Sequence, residues 1–233
     1  MGKGLWNIRI PTLFAFLLLF TSIFVTTYLI QTGVIFIGRA APDKTPQNVS
    51  VANITGSSFT VTFTTNGRTE SALSVEEVSK NPYLVFDDRN KKTGQRAEFY
   101  SHYITVSDLA PQTSYNFTII SDGETYQNGD QKYFVRTGPI IQDTPPSQKP
   151  IVGKGLLPDG QEAADTIVEL KIQGAQKISA LTRDNGEFSI ATNSMRKEDL
   201  SGYLRIPPET PITIILRRQD FSSSIQTIFK NVE

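Results

Sequence analysis

Apolar residues follow two regimes along this chain. From Leu13 to Ile37 they run together, with 25 consecutive uncharged residues of which 18 are apolar. Beyond Asp43 they alternate with polar residues at a period of two, the signature of strands with one buried face. In Ser58 to Thr64, Phe59, Val61 and Phe63 take one face and threonines the other. Tyr115, Phe117 and Ile119 repeat the pattern, as do Tyr133, Val135 and Thr137. Shorter runs fall at 48–54, 72–78, 83–86 and 101–109. Between the runs stand turn formers: Gly56-Ser57, Asn66-Gly67, Asn81-Pro82, Gly94, Asp122-Gly123 and Asn128-Gly129-Asp130. Seven short strands and no amphipathic helix predict a β-sandwich over residues 44–139.

Residues 140–149 hold Thr144-Pro145-Pro146-Ser147-Gln148-Lys149, and Pro150 follows. Proline removes backbone donors and favours extended geometry, so a semi-rigid linker is expected here. The period of two then returns. Thr166, Val168, Leu170 and Ile172 share a face, followed by Ile178 and Ala180, Phe188 and Ile190, Ile212, Ile214 and Leu216, and Ile225, Thr227 and Phe229. Turns are predicted at Pro158-Asp159-Gly160 and at Asp184-Asn185-Gly186, the latter as a type I′-like hairpin. A short helical turn capped by Asn193 or Ser194 is expected within Ser194 to Tyr203. The fold class expected for the whole chain is all-β. It comprises two tandem immunoglobulin-like sandwiches, at 44–139 and 150–233, behind an N-terminal transmembrane helix.

The leading apolar stretch would measure about 37 Å as a helix, enough to span a bilayer with some tilt. Lys3 and Arg9 precede it, and Arg39 and Lys44 follow. Residues 1–40 therefore read as a signal-anchor segment with its helix at about 13–37 and the sandwiches extracytoplasmic. The alternative is a cleaved leader, cut before Ala41 after the small residues Gly38 and Ala40, which would make the protein secreted. All 23 acidic residues lie at or after Asp43, so the portion from Ala41 carries 20 basic against 23 acidic groups, a charge of −3. That balance speaks against nucleic acid as a partner. The chain has one histidine and no cysteine, which rules out disulfides, thiolate chemistry and multi-histidine metal sites.

Two resemblances sharpen this picture. Leu109-Ala110-Pro111-Gln112-Thr113-Ser114-Tyr115 has the spacing of a tyrosine corner, where a buried ring sends its hydroxyl back to nearby backbone. This segment resembles the fibronectin type III family, as do the opening Pro46-Gln47-Asn48-Val49-Ser50-Val51 and the closing Phe134-Val135-Arg136-Thr137-Gly138-Pro139. Phe63 stands where many members carry a core tryptophan. The segment also looks like the sandwich preceding the catalytic domain of purple acid phosphatases, but that domain needs several histidine ligands and no histidine follows residue 139. The second resemblance joins Ile151 to Leu156, Pro158-Asp159-Gly160 and Thr182-Arg183-Asp184-Asn185-Gly186-Glu187-Phe188. Together they are similar to the carboxypeptidase regulatory-like, or transthyretin-like, sandwich. That likeness implies a bacterial surface or secreted protein in which such modules act as spacers, stalks or adhesive units.

No Gly-x-Ser-x-Gly, phosphate-loop or His-Glu-x-x-His motif is present, and no catalytic residue, cofactor or metal is assigned. His102 shares strand parity with Ile104 and Val106, as expected of a core histidine. Asp184, Asn185 and Glu187 supply too few oxygens for calcium. Asp87, Asp88, Arg89, Lys91, Lys92 and Arg96 fall in a turn-rich stretch expected to be a solvated hairpin loop, and they form the candidate interaction loop. Asn48, Asn53 and Asn116 sit in Asn-x-Ser/Thr triplets, relevant in a glycosylating host. The expectation is a non-enzymatic, single-pass cell-surface protein serving as a structural stalk or an adhesion module with a protein partner. The alternative is a polysaccharide-binding accessory subunit presenting Tyr83, Tyr100, Tyr103, Tyr126 and Tyr133 as an aromatic platform to cell-wall glycan.

Overall fold

A computed structural model describes residues 12–31, 43–77, 80–219 and 221–230. The chain divides into two units, Met1–Ala41 and Pro42–Glu233. In the first, α1 (Thr12–Gln31) carries no charged residue, and its described side chains are exposed, Phe24 at 71%. Its hydroxyls turn inward: Thr21, Thr26 and Thr27 donate to the carbonyls of Leu17, Ser22 and Ile23 four residues back. Among the described residues no helix is long and apolar enough to cross a membrane. The expected span continues to Ile37, and its residues 32–37, the flanking Lys3, Arg9 and Arg39 and the cleavage position before Ala41 lie outside the described residues.

The second unit holds two sandwiches. The first begins with β1 (Gln47–Ala52), β2 (Phe59–Thr69), β3 (Ser71–Glu77) and β4 (Tyr83–Phe86). After the short helix α2 (Asp88–Thr93) come β5 (Phe99–Val106), β6 (Ser114–Ser121), β7 (Glu124–Tyr126) and β8 (Tyr133–Arg136). One sheet has the order β1-β2-β5. The other runs β4-β3-β6-β7, with β8 also paired to β6. Alternation puts Phe59, Val61, Phe63, Leu73, Val75, Ile104, Val106, Phe117 and Ile119 into one core between them. The tyrosine corner forms as expected: the Ala110 amide donates to the Tyr115 hydroxyl at 2.9 Å, and Phe59 packs on the Tyr115 ring.

One local reading is corrected. Asn66-Gly67 is not a hairpin turn. β2 runs through it with a register shift between Thr64 and Thr69, where five steps on β2 oppose two on β5; the Thr65 hydroxyl donates to the Gly67 carbonyl inside this three-residue bulge. The turn expected at Asp122-Gly123 is present as a two-residue type I′ turn, with positive φ at both residues between β6 and β7.

The second sandwich is built from β9 (Ile151–Lys154), β10 (Ile167–Ile172), β11 (Ile178–Leu181), β12 (Glu187–Ile190), β13 (Pro211–Arg218) and β14 (Phe221–Ile228). A four-stranded sheet, β11-β10-β13-β14, faces the pair β12-β9. Val168, Leu170, Ile172, Phe188, Ile190, Met195, Ile206, Ile212, Leu216 and Phe229 fill the core. Gly153 lies opposite Phe188, whose ring would sit 2.6 Å from any added Cβ, so the aromatic takes the space a side chain would need. Three expectations fail here. Ser194 to Tyr203 is not helical; it is a set of turns held by isolated bridges between Arg196 and Tyr203 and between Lys197 and Ala175. At Asp184-Asn185-Gly186 only Gly186 has positive φ, so the turn is not type I′. Ile225 is 56% exposed, because β14 is an edge strand that overhangs the core.

Residues 140–149 hold no regular structure, yet they are pinned. The Gln148 side chain accepts from the Ile206 amide and donates to the Thr192 carbonyl, and the Thr192 hydroxyl donates to the Lys149 carbonyl. The sandwiches do not extend end to end as a stalk. They lie flank to flank along β1, with contacts at Asn66 and Asn48 toward one end and at Asn53 and Ile54 toward the other.

Candidate functional site

Of the residues singled out as a solvated loop, Asp87, Asp88, Arg89 and Lys91 sit at the short helix α2 and close the edge of the sheet instead. Asp87 N-caps α2 by accepting from the Arg89 amide, and Gly94 closes the helix in the left-handed conformation. Asp87 is fully buried. Its second oxygen accepts the Tyr103 amide at 3.0 Å, and Asp88 accepts the Thr105 amide at 2.9 Å and the Thr105 hydroxyl at 2.6 Å. Arg89 donates to the Ser101 carbonyl and Lys91 to the Thr105 carbonyl. Four side chains thus supply the acceptors and donors that a neighbouring strand would offer to the outer edge of β5. An unpaired edge is a template for unwanted pairing, and this one is closed by carboxylates on its amides and cations on its carbonyls.

Arg89 holds the arrangement together. It grips Asp87 at 2.9 and 3.0 Å, lies flat on the Phe99 ring at 3.4 Å, and reaches Asp165 of the second sandwich at 2.7 Å. Burial alone would lower its pKa, but the paired aspartates more than offset this and raise it, so the guanidinium stays charged. Of the remaining loop residues, Lys91 pairs with Asp88 and Arg96 with Glu70, whereas Lys92 is exposed. The sequence-based reading of a free loop fails because these charges have backbone partners on a strand more than ten residues away.

Beside α2, β11 and β12 border a cavity of about 550 Å³ between the sandwiches, lined among others by Asp88, Arg89, Lys92, Arg183 and Glu187. Asp88 is already engaged by β5, so the cleft does not offer two free opposed carboxylates. His102 lies elsewhere, fully buried in the first core and stacked on Phe63 with ring centroids 4.5 Å apart. Its Nε2 sits 3.0 Å from the Thr69 hydroxyl and 3.4 Å from that of Thr65. Burial pushes its pKa down to about 4, leaving a neutral ring. Among the described residues there is no group of three His, Asp or Glu side chains that could hold a metal ion.

The five tyrosines do not assemble into one exposed platform. Tyr103 is taken into the inter-sandwich contact, Tyr133 stacks on Phe117, Tyr100 lies under Arg68, and Tyr126 bonds Glu124, while Tyr83 on β4 is exposed by itself.

That contact is the site sequence reasoning missed. The Asn53 amide donates to the Tyr103 hydroxyl and the Ser179 carbonyl, both at 2.9 Å, and its oxygen accepts the Ser179 amide at 3.0 Å. Gln176 answers from the other side, accepting the Ile54 amide at 2.8 Å and donating to the Ile54 carbonyl at 3.0 Å. Each side chain imitates a strand, so the β11 edge is closed as well. Arg196 donates to the Pro139 carbonyl, Arg217 to Asn48 and Gln219 to the Asn66 carbonyl. Asn53 has positive φ, as Asn48 does, and that is invisible in sequence, where Asn53 stands out as a glycosylation triplet alone.

Residues 44–133 match the family model described as Fibronectin type III domain. Among solved structures the chain is similar to the chicken CNTN1 FN1-FN3 domains, at 15% identity and a TM-score of 0.32 over 76% of this chain. The match spans 61% of that chain, less than two thirds of its length. It is also similar to a two fibronectin type-III domain segment from chicken tenascin, at 10% identity and a TM-score of 0.26, covering 79% of this chain and 98% of that one. No curated protein matches the sequence.

Proposed function

We infer that this protein is a membrane-anchored, non-enzymatic interaction module: a fibronectin type III domain joined rigidly to a second sandwich of the carboxypeptidase regulatory-like kind, held at a bacterial cell surface. The observation that carries the reading is the polar seam from Asn48 to Ile54 with its partners on the second sandwich. A seam of this kind suits a body that presents a fixed surface, not a flexible spacer and not a catalytic cleft. Its partner is a protein and not a glycan, since four of the five candidate tyrosines are engaged within the chain and Tyr83 alone makes no platform. The anchor reading is supported by the uncharged run from Leu13 to Ile37 and by the hydroxyls of α1, which satisfy themselves on the helix backbone as a lipid environment requires.

Protease shaving of intact cells tests this. Peptides from residues 44–233 should be released at the surface, with 1–40 retained in the membrane fraction. Protection of those peptides until lysis would overturn the surface location, and recovery of the intact chain from the medium would overturn the anchor.

A further inference from the structure

Among the described residues, β14 is the longest sheet-ending strand whose outer edge carries no closing contact; β7, β8, β9 and β12 are only three or four residues long. The edge of β5 is closed by Asp87, Asp88, Arg89 and Lys91, and that of β11 by Asn53. β1 carries a register irregularity between Gln47 and Ser50, and β4 is only four residues long behind Pro82. By contrast β14 pairs with β13 over eight residues without a bulge and ends the sheet order β11-β10-β13-β14. From Phe221 to Phe229 it contains no charge, no proline and no glycine, and Ile225 and Ile228 are exposed. None of the devices that normally blunt an edge is present.

We propose that two copies of this chain pair through β14, antiparallel about a two-fold axis at Ile225, joining their four-stranded sheets into one of eight. The ladder fixes the register. The Phe229 amide donates to Thr210 on the β13 side, so alternation turns the backbone groups of Ser222, Ser224, Gln226 and Ile228 to the open edge. A two-fold antiparallel pair requires some residue to face its own copy. With Ile225 on the axis, Ser222 meets Ile228 and Ser224 meets Gln226, all four positions presenting outward groups, for about eight hydrogen bonds. Ile225 then faces Ile225, and Ser223 faces Thr227. An uncharged strand meets a second copy of itself with no like charges opposed, which is why the occupant is this chain and not a charged peptide.

The test uses the full chain in detergent micelles. Sedimentation should give a dimer for the native protein and a monomer for Ile225→Lys, which opposes two cations on the axis at a position already exposed. Circular dichroism checks that the variant stays folded. Because the chain has no cysteine, Ile225→Cys should form a disulfide-linked dimer under mild oxidation. Residues facing each other in a non-hydrogen-bonded pair are about 4.5 Å apart at Cα, within disulfide range. Ser223→Cys, roughly 13 Å from its copy in this register, should cross-link at least tenfold less. Equal masses for the native protein and Ile225→Lys, or equal cross-linking at the two positions, would overturn the proposal, including the case in which another protein's strand occupies the edge.

Discussion

His102 makes the first sandwich sensitive to acid. Its place in the core is readable from strand parity, but its neutrality is not, since that follows from its complete burial against Phe63, helped by the nearby Arg89 charge. The ring titrates near 6.5 when unfolded and near 4 when folded. Between those values the unfolded chain binds the extra proton, so the stability is fully present above about pH 6.5 and is lost as pH falls toward 4. A difference of this size corresponds to about 3 kcal/mol. Urea midpoints at pH 7, 5 and 4 should fall accordingly in the native protein and stay nearly level in His102→Gln, whose side chain does not titrate. A parallel fall in both would assign the acid sensitivity elsewhere. Tyr115 is the opposite case, legible in full from its spacing. Tyr115→Phe should cost about 1 kcal/mol at any of these pH values, because it removes one neutral hydrogen bond and leaves the Ala110 amide without its partner.

At the scale of elements, alternation located most strands, because a half-buried strand writes its burial directly into side-chain polarity. It missed β7, too short at three residues to show a period, and α2, whose partner is remote; in β14 it found the strand but not the exposure of Ile225. Nothing local in Asp87-Asp88-Arg89-Asn90-Lys91 says that its charges serve the edge of β5; the same residues in solvent would read identically. The edge cap makes a graded prediction. Asp87→Ala removes the fully buried carboxylate and leaves Arg89, only 19% exposed, without its main counter-charge. By analogy with broken buried pairs the loss should be about 3–5 kcal/mol. Asp88→Asn acts where both partners are about a third exposed and should cost only about 1 kcal/mol. Denaturant unfolding of the two variants measures the difference, and equal costs would mean that burial does not set the strength of the cap.

At the scale of the molecule, the proline-rich segment at 140–149 correctly announces a break between sandwiches, but composition cannot say whether the parts dock. Docking depends on Asn53 and Gln176 finding backbone groups some 120 residues away, and no motif at either residue points to that role. These side chains together make several hydrogen bonds across the seam, each worth about 1 kcal/mol net, so their loss should uncouple the sandwiches without unfolding either one. Calorimetry of the native chain should give a single transition for residues 42–233. The double variant Asn53→Ala, Gln176→Ala should split it in two, and new proteolytic cuts should appear within 140–149 as the segment is released. Expression in a glycosylating host offers an independent route to the same state. Asn53 lies in an acceptor triplet, and a glycan on its amide nitrogen would displace the bonds to Tyr103 and Ser179. Protein glycosylated at Asn53 should therefore melt like the double variant, whereas glycosylation confined to Asn116, away from the seam, should leave the single transition in place. A double variant that still unfolds in one step at the native temperature would mean that Arg89, Arg196 and Arg217 suffice to hold the two sandwiches together.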